Sequence, residues 1–383
     1  MVTELPLEIW LHILSCTIPT SPFIWEYQPF NSPEDELERE RERRTILAPV
    51  VLVCRAWRAL AERMVYENID LDCDAIKPAL EIGDHRGAYV RRAVLLYQST
   101  QPLITRLGHL PNLNILRLSP PSPRPGEHTA CDESDSDGIP FPPLKRLDWW
   151  NIPDATRSSD INSLYNVLLN TPHIQYLTLG GSYGEINTQF PVHLPEVTTL
   201  NFQRSDMEFA QQILALWSMP ALTHLIYTGV SNYFMFMALV QKFGAQLRTL
   251  ELSRSMQFCT TDYLWPALTE GRALHEIGYF VNSTLIPRRT LNGTAWVAIN
   301  GSVRVVRLHG QLAFADEKLI WDHLEEHFAF LAGAALPALE TVVLHPSHGI
   351  WDEITSHPRF APLGRALRGR GCVLQRADGE RVS

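Results

Sequence analysis

Lysine is scarce in this chain: four residues, at 77, 145, 242 and 318, against 29 arginines. With a formal charge of −9 there is no broad lysine-rich face, which argues against nucleic acid as a partner. Cysteine is sparse and scattered: Cys16, Cys54, Cys73, Cys131, Cys259 and Cys372 include no C-x-x-C pair. That excludes a disulfide-dense or zinc-clamped small domain and fits reduced thiols. No apolar run approaches the about 18 residues of a membrane span. The opening MVTELPLEIW lacks the basic segment and apolar core of a signal peptide. A cytoplasmic or nuclear protein is therefore expected. Signatures of catalysis are missing too: no G-x-S-x-G, H-E-x-x-H, P-loop or G-x-G-x-x-G occurs.

What the chain has in abundance is one pattern, Φ-x-x-Φ-x-Φ, where Φ is a large apolar residue. It runs through Leu113/Leu116/Leu118, Leu144/Leu147/Trp149, Ile174/Leu177/Leu179, Val197/Leu200/Phe202 and Leu222/Leu225/Tyr227. It continues through Leu247/Leu250/Leu252, Leu274/Ile277/Tyr279, Val303/Val306/Leu308 and Leu339/Val342/Leu344, with a weaker copy at Val90/Ala93/Leu95. The spacing lies near the period of about 20–29 residues of leucine-rich repeats, the longer intervals requiring insertions. Pro111, Pro143, Pro172, Pro195, Pro220 and Pro337 precede the cores, at a strand start where a missing N–H is tolerated. Return segments, helical or irregular, are expected between the cores, among them Ile161–Leu169, Phe209–Trp217, Tyr233–Phe243 and Leu319–Ala332. A unit that cannot bury its own apolar face must stack on neighbours. The expected fold is thus α/β: a curved leucine-rich-repeat solenoid with parallel strands over residues 71–383. Two antiparallel β domains are the alternative.

Residues 1–70 differ from the rest and read as a small all-helical domain. Ile9, Ile13 and Cys16 follow at helical spacing after Pro6, with Leu5 and Leu14 widening the stripe. Asp35–Arg44 reads as a solvated helix laced by charge pairs. Pro49 is expected to break or restart the helix before Trp57, Leu60 and Met64, which share one face. Residues 119–143, rich in Pro, Ser and acids, read as a disordered insertion. The acids Asp132, Glu133, Asp135 and Asp137 within it lack calcium-loop spacing.

The amino-terminal segment resembles the F-box, the helical adaptor module of ubiquitin-ligase receptors. Leu5-Pro6-Leu7-Glu8-Ile9-Trp10-Leu11-His12-Ile13-Leu14 is similar to the family's opening, L-P-x-E-I-x-x-x-I-L. Val51 through Ala61, VLVCRAWRALA, is similar to its closing V-C-[KR]-x-W-R-x-L-A, and Tyr66 and Ile69 suit the family's tail. Residues 17–43 separate the two pieces more widely than the family pattern does, and read as an insertion. The resemblance implies a Skp1-like adaptor, and through it a cullin–RING ligase, as partners. It implies Leu5, Pro6, Ile9, Ile13, Leu14, Val53 and Trp57 as adaptor-binding residues. From apolar content alone, Leu5, Pro6 and Ile9 fit an interface, whereas Trp57 and Leu60 fit the bundle's own core.

The remaining candidates are weaker. Cys54 beside Arg55 reads as a small buried hydrophobe rather than a nucleophile. His323 and His327, four apart on a helix, lack a third metal ligand, as do His345 and His348. Trp149, Phe202, Tyr227 and Tyr279 sit at the third Φ position and read as core. Trp150, Tyr183, Arg204 and Arg254 are the candidate substrate-binding residues, being aromatic or Arg near strand ends. The reading that emerges is a non-enzymatic substrate-recruiting subunit of an SCF-type (Skp1–cullin–F-box) ubiquitin ligase, with no cofactor or metal and an unspecified protein substrate. The alternative is a repeat scaffold whose amino-terminal helices only cap the solenoid.

Overall fold

The computed structural model describes residues 7–17, 33–70, 85–96, 107, 110–119, 142–151, 164–181, 191–203, 207–228, 233–253, 260–287, 299–310, 317–345 and 350–382. Leu5, Pro6, Tyr183, Arg204, Arg254 and His348 lie outside them, as do residues 120–141 of the 119–143 stretch expected to be disordered; Ser119 ends a strand. The protein is α/β, with parallel strands and intervening helices. It divides into two compact units, residues 1–178 with 185–196, and residues 179–184 with 197–383.

The first unit begins with α1 (Leu7–Thr17), α2 (Pro33–Val53) and α3 (Arg55–Tyr66). Leu14, Leu47 and Ala61 form their buried centre, with Trp10, Val50, Val51, Trp57 and Met64 packed around it. The Trp10 and Trp57 rings lie 5.2 Å apart, tilted. Pro49 does not break α2 as its chemistry suggested. The helix continues through it to Val53, and the break falls at Cys54, whose backbone is extended at φ −162°. Pro49 is exposed, and the packing of Leu47, Val50 and Val51 on either side of it holds α2 together across the missing N–H. Cys54 is likewise exposed rather than a buried hydrophobe, because it occupies the turn between two helices.

Strands β1 (Asn68–Asp70), β2 (Arg92–Leu96), β3 (Ile115–Ser119) and β4 (Arg146–Asn151) follow in the order of the chain. Each described pairing is parallel, with Ile69 opposite Ala93, Ala93 opposite Leu116, and Leu116 opposite Leu147. Helix α4 (Leu164–Asn170) precedes β5 (Tyr176–Gly181), which straddles the division between the units.

In the second unit the main-sheet strands are β6 (Thr199–Phe202), β7 (His224–Tyr227), β8 (Thr249–Leu252), β9 (Glu276–Phe280), β10 (Val305–His309), β11 (Thr341–His345) and β12 (Val373–Arg376). Between them lie α5 (Met207–Leu216), α6 (Tyr233–Phe243), α7 (Leu264–Glu270), α8 (Glu317–Ala332), α9 (Ile350–Ser356) and α10 (Phe360–Gly369). These strands pair in parallel and in register at the repeat positions: Leu200, Leu225, Leu250, Ile277, Val306, Val342 and Leu374 form one row. Phe202, Tyr227, Leu252, Tyr279, Leu308 and Leu344 form the next. The parallel pairing overturns the alternative of antiparallel β domains. Every first-position residue from Leu113 to Leu339 is buried, as are Trp149, Phe202, Tyr227 and Tyr279.

The rows bury because each return helix lays an apolar face against them. On α6 the buried residues Met235, Phe236, Leu239, Val240 and Phe243 recur at helical spacing, and the Phe236 ring lies 4.9 Å from Tyr227 and 5.1 Å from Tyr263. Both α6 and α7 end at a glycine for steric reasons. A Cβ at Gly244 would sit 2.2 Å from the Val240 carbonyl, and one at Gly271 would sit 2.5 Å from that of Ala267.

Candidate functional site

Two kinds of surface stand out, and the first is apolar. Nine large apolar side chains are exposed among the described residues, and six of them, Ile9, Ile13, Ile46, Leu52, Val53 and Val65, lie on α1–α3. Ile9 and Ile13 are one turn apart on α1, 44% and 37% exposed, while Leu52 and Val53 at the end of α2 are 82% and 60% exposed. Leu14 and Trp57 belong instead to the helical core. The assignment of adaptor residues therefore separates by burial, with Ile9, Ile13 and Val53 facing outward and Leu14 and Trp57 inward.

The charged run on α2 is only partly a solvated face. Arg44 reaches back to Glu40 at 3.1 Å, the expected one-turn pair. Arg43 is buried and donates to the Met64 carbonyl at 2.9 Å and to Glu67 Oε2 at 2.8 Å. Burial pushes the Glu67 carboxyl up in pKa despite the opposing effect of Arg43 beside it. These contacts, with Arg86 bonded to Glu62 at 2.8 Å, tie the helices to the segment that leads into β2.

The second kind of surface is the strand face that points away from the apolar rows, since alternate residues of a strand project to opposite sides. In the first unit it carries Arg146, Asp148, Tyr176 and Thr178. Arg146 Nε and Nη2 hold the Asp148 carboxylate at 3.0 and 2.9 Å, Thr178 donates its hydroxyl to the same carboxylate at 2.5 Å, and the guanidinium lies 4.5 Å from the Tyr176 ring centre. Burial by itself would raise the Asp148 carboxyl, but Arg146, with Arg117 and the Thr178 hydroxyl, holds it below the usual range. Trp150, two residues beyond Asp148 on this face, is half-buried.

In the second unit the same face carries His224, Glu251, Glu276, Phe280, Arg307, His309 and His345. His224 Nε2 meets Glu251 Oε1 at 2.8 Å, and Arg307 pairs with Glu276 across adjacent strands. The His309 ring stacks on His345 at 4.6 Å and lies 4.7 Å from Phe280. Burial lowers His309 to about 2 and His345 to about 4, with Arg307 adding to both. His327, on the helix side, is buried against the Tyr279 hydroxyl at 3.3 Å, and burial lowers it to about 3. Its environment is structural, and no group of three or more metal-ligating side chains occurs among the described residues.

These buried polar pairs were not apparent in the sequence. Each falls on the x positions of the repeat, where a polar residue suggests solvent. Its partner stands on a neighbouring strand 27 residues away for His224–Glu251 and 30 for Asp148–Thr178. Aligning the repeats by their apolar positions brings such residues within one strand of each other, and that alignment is the one signal that could have found them.

No helix among the described residues is long and apolar enough to cross a membrane. Parallel strands with intervening helices make the protein α/β. Neither a known family model nor a curated protein sequence matches the chain.

Proposed function

We propose that this chain is the substrate-recruiting subunit of an SCF-type ubiquitin ligase, with an F-box-like module in α1–α3 and a leucine-rich-repeat-like solenoid beyond it. The observation that carries this reading is the concentration of exposed Ile9, Ile13, Leu52 and Val53 on helices that already have a core of their own. Apolar surface left outside a satisfied core is what a docking helix pair presents to a partner. The register of the apolar rows supports the solenoid, because only stacked units bury such repeats. The chain would perform no bond chemistry itself. It would hold a protein substrate beside the ligase's catalytic subunits and raise the local concentration for transfer.

A second reading, in which the helices cap the repeats and bind no adaptor, is favoured by one observation. Arg43–Glu67 and Arg86–Glu62 fasten the helices to the first strands. Capture of the purified chain on an immobilised Skp1-like adaptor separates the two. Retention is expected, and a chain that stays folded yet passes through unretained supports the cap.

A further inference from the structure

The near-absence of lysine has a consequence if the chain works inside a ubiquitin ligase, and the inference rests on that reading. A receptor held beside an activated ubiquitin thioester is as close to the reaction as its cargo. In the transfer, a lysine ε-amine that has lost a proton to solvent attacks the thioester carbonyl. A C–N isopeptide bond forms, the C–S bond breaks, and the thiol leaves on the conjugating enzyme. An arginine guanidinium, protonated at all working pH, cannot be that nucleophile. The chain carries 29 arginines and four lysines. A nucleotide bias against A- and T-rich codons would deplete isoleucine and asparagine as well, yet 23 and 14 are present.

The side chains show how the remaining cationic work is divided. Lys242 on α6 is exposed along its stem, but its ammonium donates to three backbone carbonyls, Ile213 at 3.0 Å, Leu214 at 2.5 Å and Trp217 at 2.8 Å. It closes the carboxyl end of α5, where unpaired carbonyls attract a cation. Arg370 does the same at the end of α8, donating to the carbonyls of Leu331, Gly333 and Leu336. Exposed positions that could hold either residue hold arginine: Arg248, Arg272 and Arg365 among them. Lys145 is exposed, while Lys77 and the Lys318 side chain lie outside the described residues.

We infer that the surface is depleted of lysine so that the receptor is spared as a ubiquitin acceptor, its positive charge being carried by guanidinium groups and Lys242 being occupied by the carbonyls it caps.

The test is reconstituted ubiquitin transfer with the full chain, a Skp1-like adaptor, a cullin–RING core, activating and conjugating enzymes and ubiquitin. Wild type is compared with the triple variant Arg248→Lys/Arg272→Lys/Arg365→Lys, which keeps every charge. Equal melting temperatures and equal adaptor capture are required of both. The variant is expected to take up roughly threefold more ubiquitin or more, because new amines sit at high effective concentration. Mass spectrometry is expected to place ubiquitin on the new lysines and none on Lys242. Adaptor capture with equal modification of wild type and variant, or ubiquitin found on Lys242, overturns this inference and leaves the receptor reading standing. Failure of either protein to bind the adaptor defeats the receptor reading, and the inference with it.

Discussion

His224 Nε2 lies 2.8 Å from Glu251 Oε1 across adjacent strands β7 and β8, with both side chains buried. Burial holds His224 down to about 3, so at neutral pH the imidazole is uncharged and shares a hydrogen bond with the Glu251 carboxyl group. Removing the Glu251 carboxyl group strands a buried imidazole nitrogen and leaves a cavity. Glu251→Ala is expected to cost about 3 kcal/mol, and Glu251→Gln, which keeps an acceptor oxygen, about 1 kcal/mol. Urea unfolding measures both, and equal losses would show that the hydrogen bond contributes nothing beyond volume.

Acidification acts on three buried histidines and the half-buried His345 together. His224 and His327 are lowered to about 3, His309 to about 2 and His345 to about 4. In the unfolded chain each titrates near about 6.5. The unfolded state therefore binds protons that the folded state refuses as pH falls below that value. Stability is fully present above about 6.5 and is lost as pH falls toward each folded value, about 4 for His345, about 3 for His224 and His327 and about 2 for His309, at about 1.4 kcal/mol per pH unit for each histidine. The urea midpoint is expected to drop steadily between about pH 7 and 5. A midpoint that stays level over this interval contradicts the assignment.

Asp148 anchors two partners from one buried position, Arg146 and Thr178. Asp148→Ala would remove the carboxylate paired with the buried Arg146 guanidinium, with an expected loss of about 3–5 kcal/mol. Thr178→Val removes a single hydrogen bond, for about 1 kcal/mol. Because both changes act at one carboxylate, the double variant is expected to lose less than the sum. Strict additivity in denaturation would disprove the network.

Burial separates interface from core within α1–α3. Ile9→Asp with Ile13→Asp places charges on exposed positions, so thermal unfolding is expected to be little changed while adaptor capture falls by at least about tenfold. Trp57→Ala is expected to behave in the opposite sense, destabilising the helices by about 2–3 kcal/mol through lost packing on Trp10. Unchanged capture by the Ile9/Ile13 variant would remove α1 from the docking surface.

Lys242→Ala exposes three carbonyls at the end of α5 and is expected to lower stability by about 1–2 kcal/mol, or a few degrees in melting temperature. Lys242→Met keeps the stem and should lose nearly as much, since the ammonium makes the contacts. Calorimetry on the two variants decides the point.

The strands were legible because their signal is local. Leu250 and Leu252, or Ile277 and Tyr279, declare by alternation which side they bury, and repetition at nearly constant spacing fixes the register of one strand against the next. The return helix Tyr233–Phe243 was readable to its ends for the same reason. Pro49 misled because a proline's cost to a helix depends on what surrounds it. Here α2 remains packed through Leu47 and Val51, and the break shifts to Cys54. Of the proposed substrate residues only Trp150 can be placed, half-buried beside the Asp148 network.

By itself the sequence determined the class of fold, the parallel rows, which aromatic residues fill them, and a cationic inventory almost without lysine. Those follow from side-chain size, period and composition, which act within a few residues or are summed over the chain. Tertiary structure decided that Arg43, His224, Glu251, Asp148 and His309 are buried rather than solvated, and that Ile9 and Val53 face outward while Leu14 and Trp57 turn in. A polar residue's fate depends on whether a partner arrives from a neighbouring strand or helix to meet its hydrogen bonds. That pairing is set by the stacking of distant segments, not by the residue's own neighbours in the chain.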